Sequence, residues 1–335
     1  MGVYHVSGLG KSPGAVCAAL HYVHDRLGRR AIPDIEFFRS SGEWQHRGVT
    51  ADEHQRHAGY LQGLVLLTTP ELAQGMHVAY EEKGKKHEGA VLDVVRNRLV
   101  QLLPGLAGAS ASIEFCVISI PHRDFDLAFE RAFAVLRALK PRGKTGKEVW
   151  VNLTAGDNTL GLALSLAISL TGDVGRTYCT NVAHGQEGRI EHPVSPGDLG
   201  TQKDRFWIDV PVVAVQDHDF RNSVMDVLTE IGELSDTELL GRLKQRWTNS
   251  EHPLPDIVQF RQQLHAMEAQ GLVERTGQAV DGGFTMCEGA HWARVRRFYG
   301  ILRSSPDATS LRQLGDKFPE WAQWHELSAT DSCEA

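Results

Sequence analysis

The stretch Lys147–Ser169, KEVWVNLTAGDNTLGLALSLAIS, limits what this chain can fold into more than any other. Val149–Leu153 is a run of strand formers in which Val149, Trp150 and Val151 leave no polar break. The loop Thr154-Ala155-Gly156-Asp157-Asn158 is small and polar, and the leucines and alanines after it recur three and four residues apart, as in a buried helix. Strand, tight loop and helix in that order form half of a parallel βαβ unit. Such a unit sets amide N–H groups and a helix N-terminus at the carboxyl end of the strand, where open α/β sheets bind anionic ligands.

A second edge of this kind opens the chain. Val3–Val6 reads as a short strand, Ser7-Gly8-Leu9-Gly10-Lys11-Ser12-Pro13-Gly14 as a glycine-rich turn, and Ala15–Leu27 as a helix with Val16, Ala19, Leu20 and Val23 on one face. Pro13 suits the first turn, where its missing N–H leaves no bond unmade. Gly10-Lys11-Ser12 has the GK[ST] order of a P-loop, but His5 stands where the first glycine belongs. The loop therefore lacks the backbone to wrap a triphosphate and reads as a generic phosphate-approaching turn.

Between the two loops, strands are expected at Asp34–Phe38, Leu61–Thr68 and Ile113–Ile120, and helices at Glu71–Glu82, Ala90–Leu103 and Phe125–Leu139, with a solvated charge run at Glu81–Glu88. Arg176–Val182 supplies another strand. This alternation predicts an α/β fold, a mainly parallel sheet with helices on both faces. His46, His54 and His57 gather near Arg47, Asp52 and Glu53, but without metal-ligand spacing, and the segment reads as a polar surface stretch.

The pattern changes after Val215. Gln216–Glu233 reads as a helix, Ser235-Asp236-Thr237-Glu238 as a capping box opening a helix to Trp247, and Asp256–Gln270 as a third, with Ile257, Phe260, Leu264 and Met267 inward. Two short strands at Gly271–Arg275 and Gly283–Met286 then complete the element order of a winged helix-turn-helix. A helical tail follows from Ala290. The expected divisions are 1–215, a Rossmann-like ligand-binding domain, 216–290, the winged helix, and 291–335, the tail.

Composition bounds the function. With 335 residues, 41% hydrophobic and 23% charged, the chain has room for two domains of ordinary soluble composition. No apolar run is long enough to cross a bilayer and MGVYHVSG lacks the features of a signal peptide, so a cytoplasmic location and no membrane partner are expected. The five scattered cysteines read as free thiols. A net charge of −7 gives no overall case for nucleic-acid binding.

The order Gly10-Lys11-Ser12-Pro13-Gly14 after the first strand, a Gly-x-Ser-Pro-Gly pattern, followed later by Asn152-Leu153-Thr154-Ala155-Gly156-Asp157-Asn158, resembles the CARF domains of type III CRISPR systems over roughly residues 1–215. With a winged helix behind it, the chain is similar to stand-alone CARF–winged-helix proteins, which take part in antiviral defence. The resemblance implies a homodimer that binds a cyclic oligoadenylate, and two functions follow from it. One is a metal-independent ring nuclease that cleaves the messenger, cyclic tetra-adenylate in the favoured case. The other is a ligand-responsive transcriptional regulator without turnover.

On that reading Ser12, Lys11 and Asn158 are the catalytic candidates, while Ser7, Gly8, Gly10, Gly14, Thr154, Ala155, Gly156 and Asp157 meet the ring. No cofactor or metal is called for, because a 2′-hydroxyl held in line with its neighbouring phosphate can itself attack. The family's second loop commonly carries a Lys or Arg; here Asp157-Asn158 stand there. From Gln216 onward 19 acidic residues face 12 basic ones, which disfavours DNA as a partner, and the basic cluster Arg294, Arg296, Arg297 lies in the tail. Arg246 and His252 have the Arg-x5-His spacing of a HEPN ribonuclease, but across a proline-containing connection. A nicotinamide enzyme would need GxGxxG after the first strand, which is missing.

Overall fold

The computed structural model describes residues 2–29, 31, 34, 37–38, 59–108, 112–121, 124–139, 147–171, 174–181, 188–211, 218–247, 254–269, 271–279, 283–290, 292, 308 and 310–331. The chain divides into two compact units, Met1–Ala214 with Pro306–Ala335, and Val215–Ser305. The His46–His57 segment, the Arg294–Arg297 cluster and His252 lie outside the described residues.

The first unit is a mixed α/β fold. Its chain order is β1 (Gly2–Leu9), α1 (Gly14–Arg29), β2 (Leu61–Thr68), α2 (Pro70–Ala73), β3 (His77–Glu82), β4 (Lys85–Ala90), α3 (Val91–Leu106), β5 (Ser112–Ser119), α4 (Phe125–Leu139), β6 (Lys147–Asn152), α5 (Asn158–Thr171), β7 (Arg176–Thr180) and β8 (Trp207–Asp209). One seven-stranded sheet holds most of these strands. Its four central pairings, β5 with β2, β2 with β1, β1 with β6 and β6 with β7, are parallel, and both edge pairings are antiparallel.

The alternation of side chains along the strands divides the core. Val3, Leu9, Leu64, Leu66, Phe115 and Val117 meet α1 and α3 in one apolar cluster. Helices α4 and α5 pack on each other, as right-handed crossovers running the opposite way from β1 demand of the opposite face. From β1 the chain steps outward through β2 to β5, then returns to the other side of β1 with β6 and β7. The winding therefore reverses between β1 and β6, and such a reversal leaves a crevice beyond the carboxyl ends of the strands.

Several local expectations are corrected. Asp34, Phe37 and Phe38 are helical, not a strand. Phe37 and Phe38 both pack on Trp150, which adjacent residues of a strand, pointing to opposite faces, would not do. The expected helix Glu71–Glu82 stops at Ala73, because Gly75 turns the backbone to φ +94° and begins a new direction. The charge run then forms the antiparallel hairpin of β3 and β4, closed by Lys83 and Gly84 at φ +50° and +74°, the left-handed pair of a two-residue turn. The helical tail is also corrected. After α9 (Leu311–Lys317) comes β12 (Ala322–Ser328), which pairs antiparallel with β5 and so returns the chain's last segment to the first unit.

The second unit comprises α6 (His218–Ile231), β9 (Leu234–Ser235), α7 (Asp236–Arg246), α8 (Ile257–Ala269), β10 (Val273–Gln278) and β11 (Phe284–Glu288), with the three strands in the order β10-β11-β9. Val224, Leu228, Leu239, Leu243, Phe260, Leu264 and Met286 are all fully buried in it. The capping box at Ser235 and Glu238 forms as its spacing predicts. The four described cysteines are free thiols, and no helix among the described residues is long and apolar enough to cross a membrane.

Candidate functional site

A cleft of about 410 Å³ lies at the carboxyl ends of the parallel strands. Leu9, Gly10 and Lys11 line it after β1, Thr68 and Thr69 after β2, Ile120 and Pro121 after β5, and Gly156, Asp157, Thr159 and Leu160 after β6. Glu71, Leu72 and Met76 close one side. Thus the two loops singled out in the sequence meet in one concavity, at the point where the winding reverses.

Backbone contact between the loops explains their glycines. A Cβ on Gly8 would collide with the carbonyl oxygen of Ala155, and one on Gly10 would touch the Gly156 backbone at 3.7 Å. Gly156 itself sits at φ +102°, a conformation that side chains resist, and a Cβ there would stand 2.8 Å from Leu160 and 3.3 Å from the Gly8 Cα. Asn152, buried at the end of β6, ties the loops from below. Its Nδ2 donates to the Ala15 carbonyl at 2.9 Å and its Oδ1 accepts from the Thr154 N–H at 2.9 Å. In the sequence Asn152 stands in the motif with no role of its own.

The remaining sequence candidates separate by position. Gly10, Lys11, Gly156 and Asp157 line the cleft. Ser7 and Gly8 are not in a turn, since β1 continues to Leu9; Ser7 is buried and its hydroxyl donates to the Gly8 carbonyl. Gly14 and Ala155 are buried supports. The Thr154 hydroxyl faces β7, where it accepts from the Thr180 N–H at 2.5 Å. Asp157 caps α5 by accepting from the Leu160 N–H at 2.8 Å, so its carboxylate already occupies that helix end. Ser12 is half-buried and Asn158 exposed, and neither lines the cleft.

The first loop also departs from a P-loop in its structure. Only Gly10 to Pro13 separate β1 from α1, and His5 lies mid-strand, 2% exposed, with Nδ1 3.1 Å from the Tyr178 hydroxyl. Burial, with Arg176 adding to it, pushes the His5 imidazole down to about 3. It is a neutral core residue. Thr68, Thr69, Glu71, Ile120 and Pro121 are lining residues that sequence reasoning missed. The available signal was the end of each apolar run, at Thr68 and at Ile120, since every parallel strand delivers its C-terminal residues to the same edge. Lys11 is the one cation on the described lining, set against the carboxylates of Glu71 and Asp157.

Among the described residues of the second unit, three arginines are held in ion pairs. In α8, Arg261 pairs its Nε with Asp236, which is fully buried. Arg275 on β10 pairs with Glu268 at 3.1 Å, and Arg246 at the end of α7 with Glu230 at 2.6 Å.

No family model matches the chain. An uncharacterized protein of Archaeoglobus fulgidus is 30% identical over 190 residues, 53% of this chain and 56% of the relative, so the match spans just over half the length of each. Among solved structures, Enterococcus italicus Csm6 bound to cyclic hexa-2′-fluoro-hexa-dAMP aligns over 81% of this chain and 55% of its own, with 13% identity and a TM-score of 0.37. Protein VC1899 from Vibrio cholerae aligns over 97% of this chain and 76% of its own, with 12% identity and a TM-score of 0.29. At these scores neither likeness bears on function.

Proposed function

We propose that the first unit is a CARF-type sensor that binds a cyclic oligoadenylate in this cleft, and that the chain is a CRISPR-associated ring nuclease which cuts its ligand without a metal. One observation carries the proposal: the loops Gly10-Lys11 and Gly156-Asp157, which bear the CARF resemblance, converge on a single cleft at the reversal of the sheet. Ligand pockets of roughly 300–1,000 Å³ enclose a drug-sized molecule. A cleft of about 410 Å³ therefore suits part of a ring of four or six nucleotides. A second copy of the chain, placed by two-fold symmetry, would present the same loops to the rest of the ring.

In the proposed reaction a ring 2′-hydroxyl attacks the adjacent phosphorus and the 5′-oxygen leaves, giving a 2′,3′-cyclic phosphate and a 5′-hydroxyl. Lys11, exposed on the cleft, is placed to stabilise the charge gained in the transition state. Ser12 follows it directly and would orient the 2′-hydroxyl or the phosphate, and Asn158 would contribute an amide N–H from the rim. With one lysine against two carboxylates, turnover is expected to be slow. Incubation with cyclic tetra- and hexa-adenylate, with and without EDTA, and chromatography of the products tests this. The expected result is EDTA-resistant cleavage, faster for the tetramer, slowed about 10²–10³-fold in Lys11→Ala. Cleavage that proceeds unchanged in both Lys11→Ala and Ser12→Ala would remove these assignments.

A second reading, sensing without turnover, draws on the same scarcity of positive charge in the cleft. It would make the second unit, whose element order is that of a winged helix, a DNA reader. The ion pairs of Arg246, Arg261 and Arg275 weigh against phosphate anchoring, which needs available cations. No retardation of promoter DNA at physiological salt is expected in a mobility-shift assay. Tight, salt-sensitive, sequence-selective retardation would select the regulator reading instead.

A further inference from the structure

Apart from the cleft, α1 and the segment joining β7 to β8 bring a set of metal-type donors together. His21 and Asp25 stand four residues apart on α1, hence on one face, and His192 comes from the joining segment. The donor atoms of these three side chains all lie within 4.8 Å of one another. His192 Nε2 is 2.9 Å from Asp25 Oδ2, and His21 Nδ1 is 3.7 Å from the same oxygen. Donors around a tetrahedral zinc ion, at roughly 2.1 Å from the metal, stand about 3.4 Å apart. A shift of about half an ångström would bring these two distances to that value, and the two imidazole donors, which lie within 4.8 Å of each other, would close by up to about 1.4 Å.

The surroundings favour occupancy. His192 is 6% exposed, and the Nδ1 atom of His21 is buried with no hydrogen-bond partner among the described residues. His24 Nδ1 holds the other carboxylate oxygen of Asp25 at 3.0 Å, the outer contact that usually orients a metal-binding carboxylate. Arg98 of α3, a positive charge that acts on His21, is itself 3.6 Å from Glu82.

We propose that His21, Asp25 and His192 bind a divalent transition-metal ion, and two imidazoles with one carboxylate match zinc better than magnesium or calcium. The ion would clamp the middle of α1 to the segment that carries His192. This site needs no ligand in the cleft and stands whether or not the chain is a ring nuclease.

The test uses the full chain, stripped with EDTA, desalted, titrated with zinc chloride, and analysed for bound metal after a second desalting. One retained equivalent and a raised Tm are expected for the wild type. His192→Ala and Asp25→Asn should lose that equivalent while keeping wild-type far-UV circular dichroism. His24→Ala should keep it with affinity weakened about 10–100-fold. No retained zinc in the wild type, or the same equivalent retained at equal affinity in folded His192→Ala and Asp25→Asn, overturns the site.

Discussion

Gly8→Val should lower the Tm by about 5 °C or more and abolish ligand binding in the cleft. A side chain at this position has no room, because its Cβ would enter the Ala155 carbonyl oxygen and stand 2.9 Å from Leu160. Both neighbours are fixed. Ala155 is backbone in the loop that Asn152 anchors, and Leu160 is buried in the first turn of α5. Overpacking typically costs about 1–3 kcal/mol, and a collision with backbone belongs at the upper end. For a unit of this size each kcal/mol moves the Tm by about 2–4 °C. The loops would be forced apart, carrying Gly10-Lys11 away from Gly156-Asp157. Gly28→Ala is the matched control, since a Cβ there meets nothing within 4 Å. In a helix that change should stabilise by about 1 kcal/mol. A Gly8→Val protein that melts with the wild type would show that the loops are not held in contact.

Arg261→Ala should destabilise the second unit by about 3 kcal/mol. Asp236 is completely buried at the start of α7, with Gly283 packed so closely that a Cβ there would strike its carboxylate. Its Oδ1 accepts from the Thr237 N–H at 2.9 Å, and its Oδ2 is met by Arg261 Nε. Removing the guanidinium leaves a buried charge without its counter-ion, a change worth about 3–5 kcal/mol. The lower figure applies because the Arg261 side chain is 35% exposed and water can partly replace it. Amide hydrogen exchange over Asp236–Arg246 should accelerate about 100-fold, that of β1 remaining unchanged. Unaltered protection in α7 would mean that Asp236 is satisfied without Arg261.

The pieces of the fold legible in the sequence were those whose signals are local and apolar. Leu61–Thr68 and Phe125–Leu139 have the bounds their hydrophobic patterns predict, because nearly every residue of the one and a full face of the other is buried. The hairpin of β3 and β4 was concealed by its charges. Its turn signals, Gly75 and Lys83-Gly84, were present, but a solvated charge run outweighed them. β12 was less visible still. AQWHELS has two fully buried residues, Ala322 and Leu327, and its partner β5 lies about two hundred residues earlier. Such a strand is specified by the edge it covers, not by its own pattern.

The candidate site divides in the same way. Gly10, Lys11, Gly156 and Asp157 could be read from two strand–loop–helix motifs, whereas Thr68 and Ile120 reach the cleft only because the sheet order places β2 and β5 beside β1. The His21–Asp25–His192 cluster was hidden for a related reason. Its spacing on α1 is visible, but His192 follows Asp25 by 167 residues, and only the fold makes them neighbours.

Binding of a cyclic oligoadenylate by the intact chain tests the central claim most directly. Thermal melts should be recorded with cyclic tetra- and hexa-adenylate at increasing concentrations, in parallel for the wild type and Lys11→Glu. At about 100 times Kd, ligand should stabilise the wild type by roughly 2.7 kcal/mol, a clear rise in Tm, and Lys11→Glu should show none. Unchanged melting of the wild type with both rings, at concentrations well above micromolar, would contradict the account.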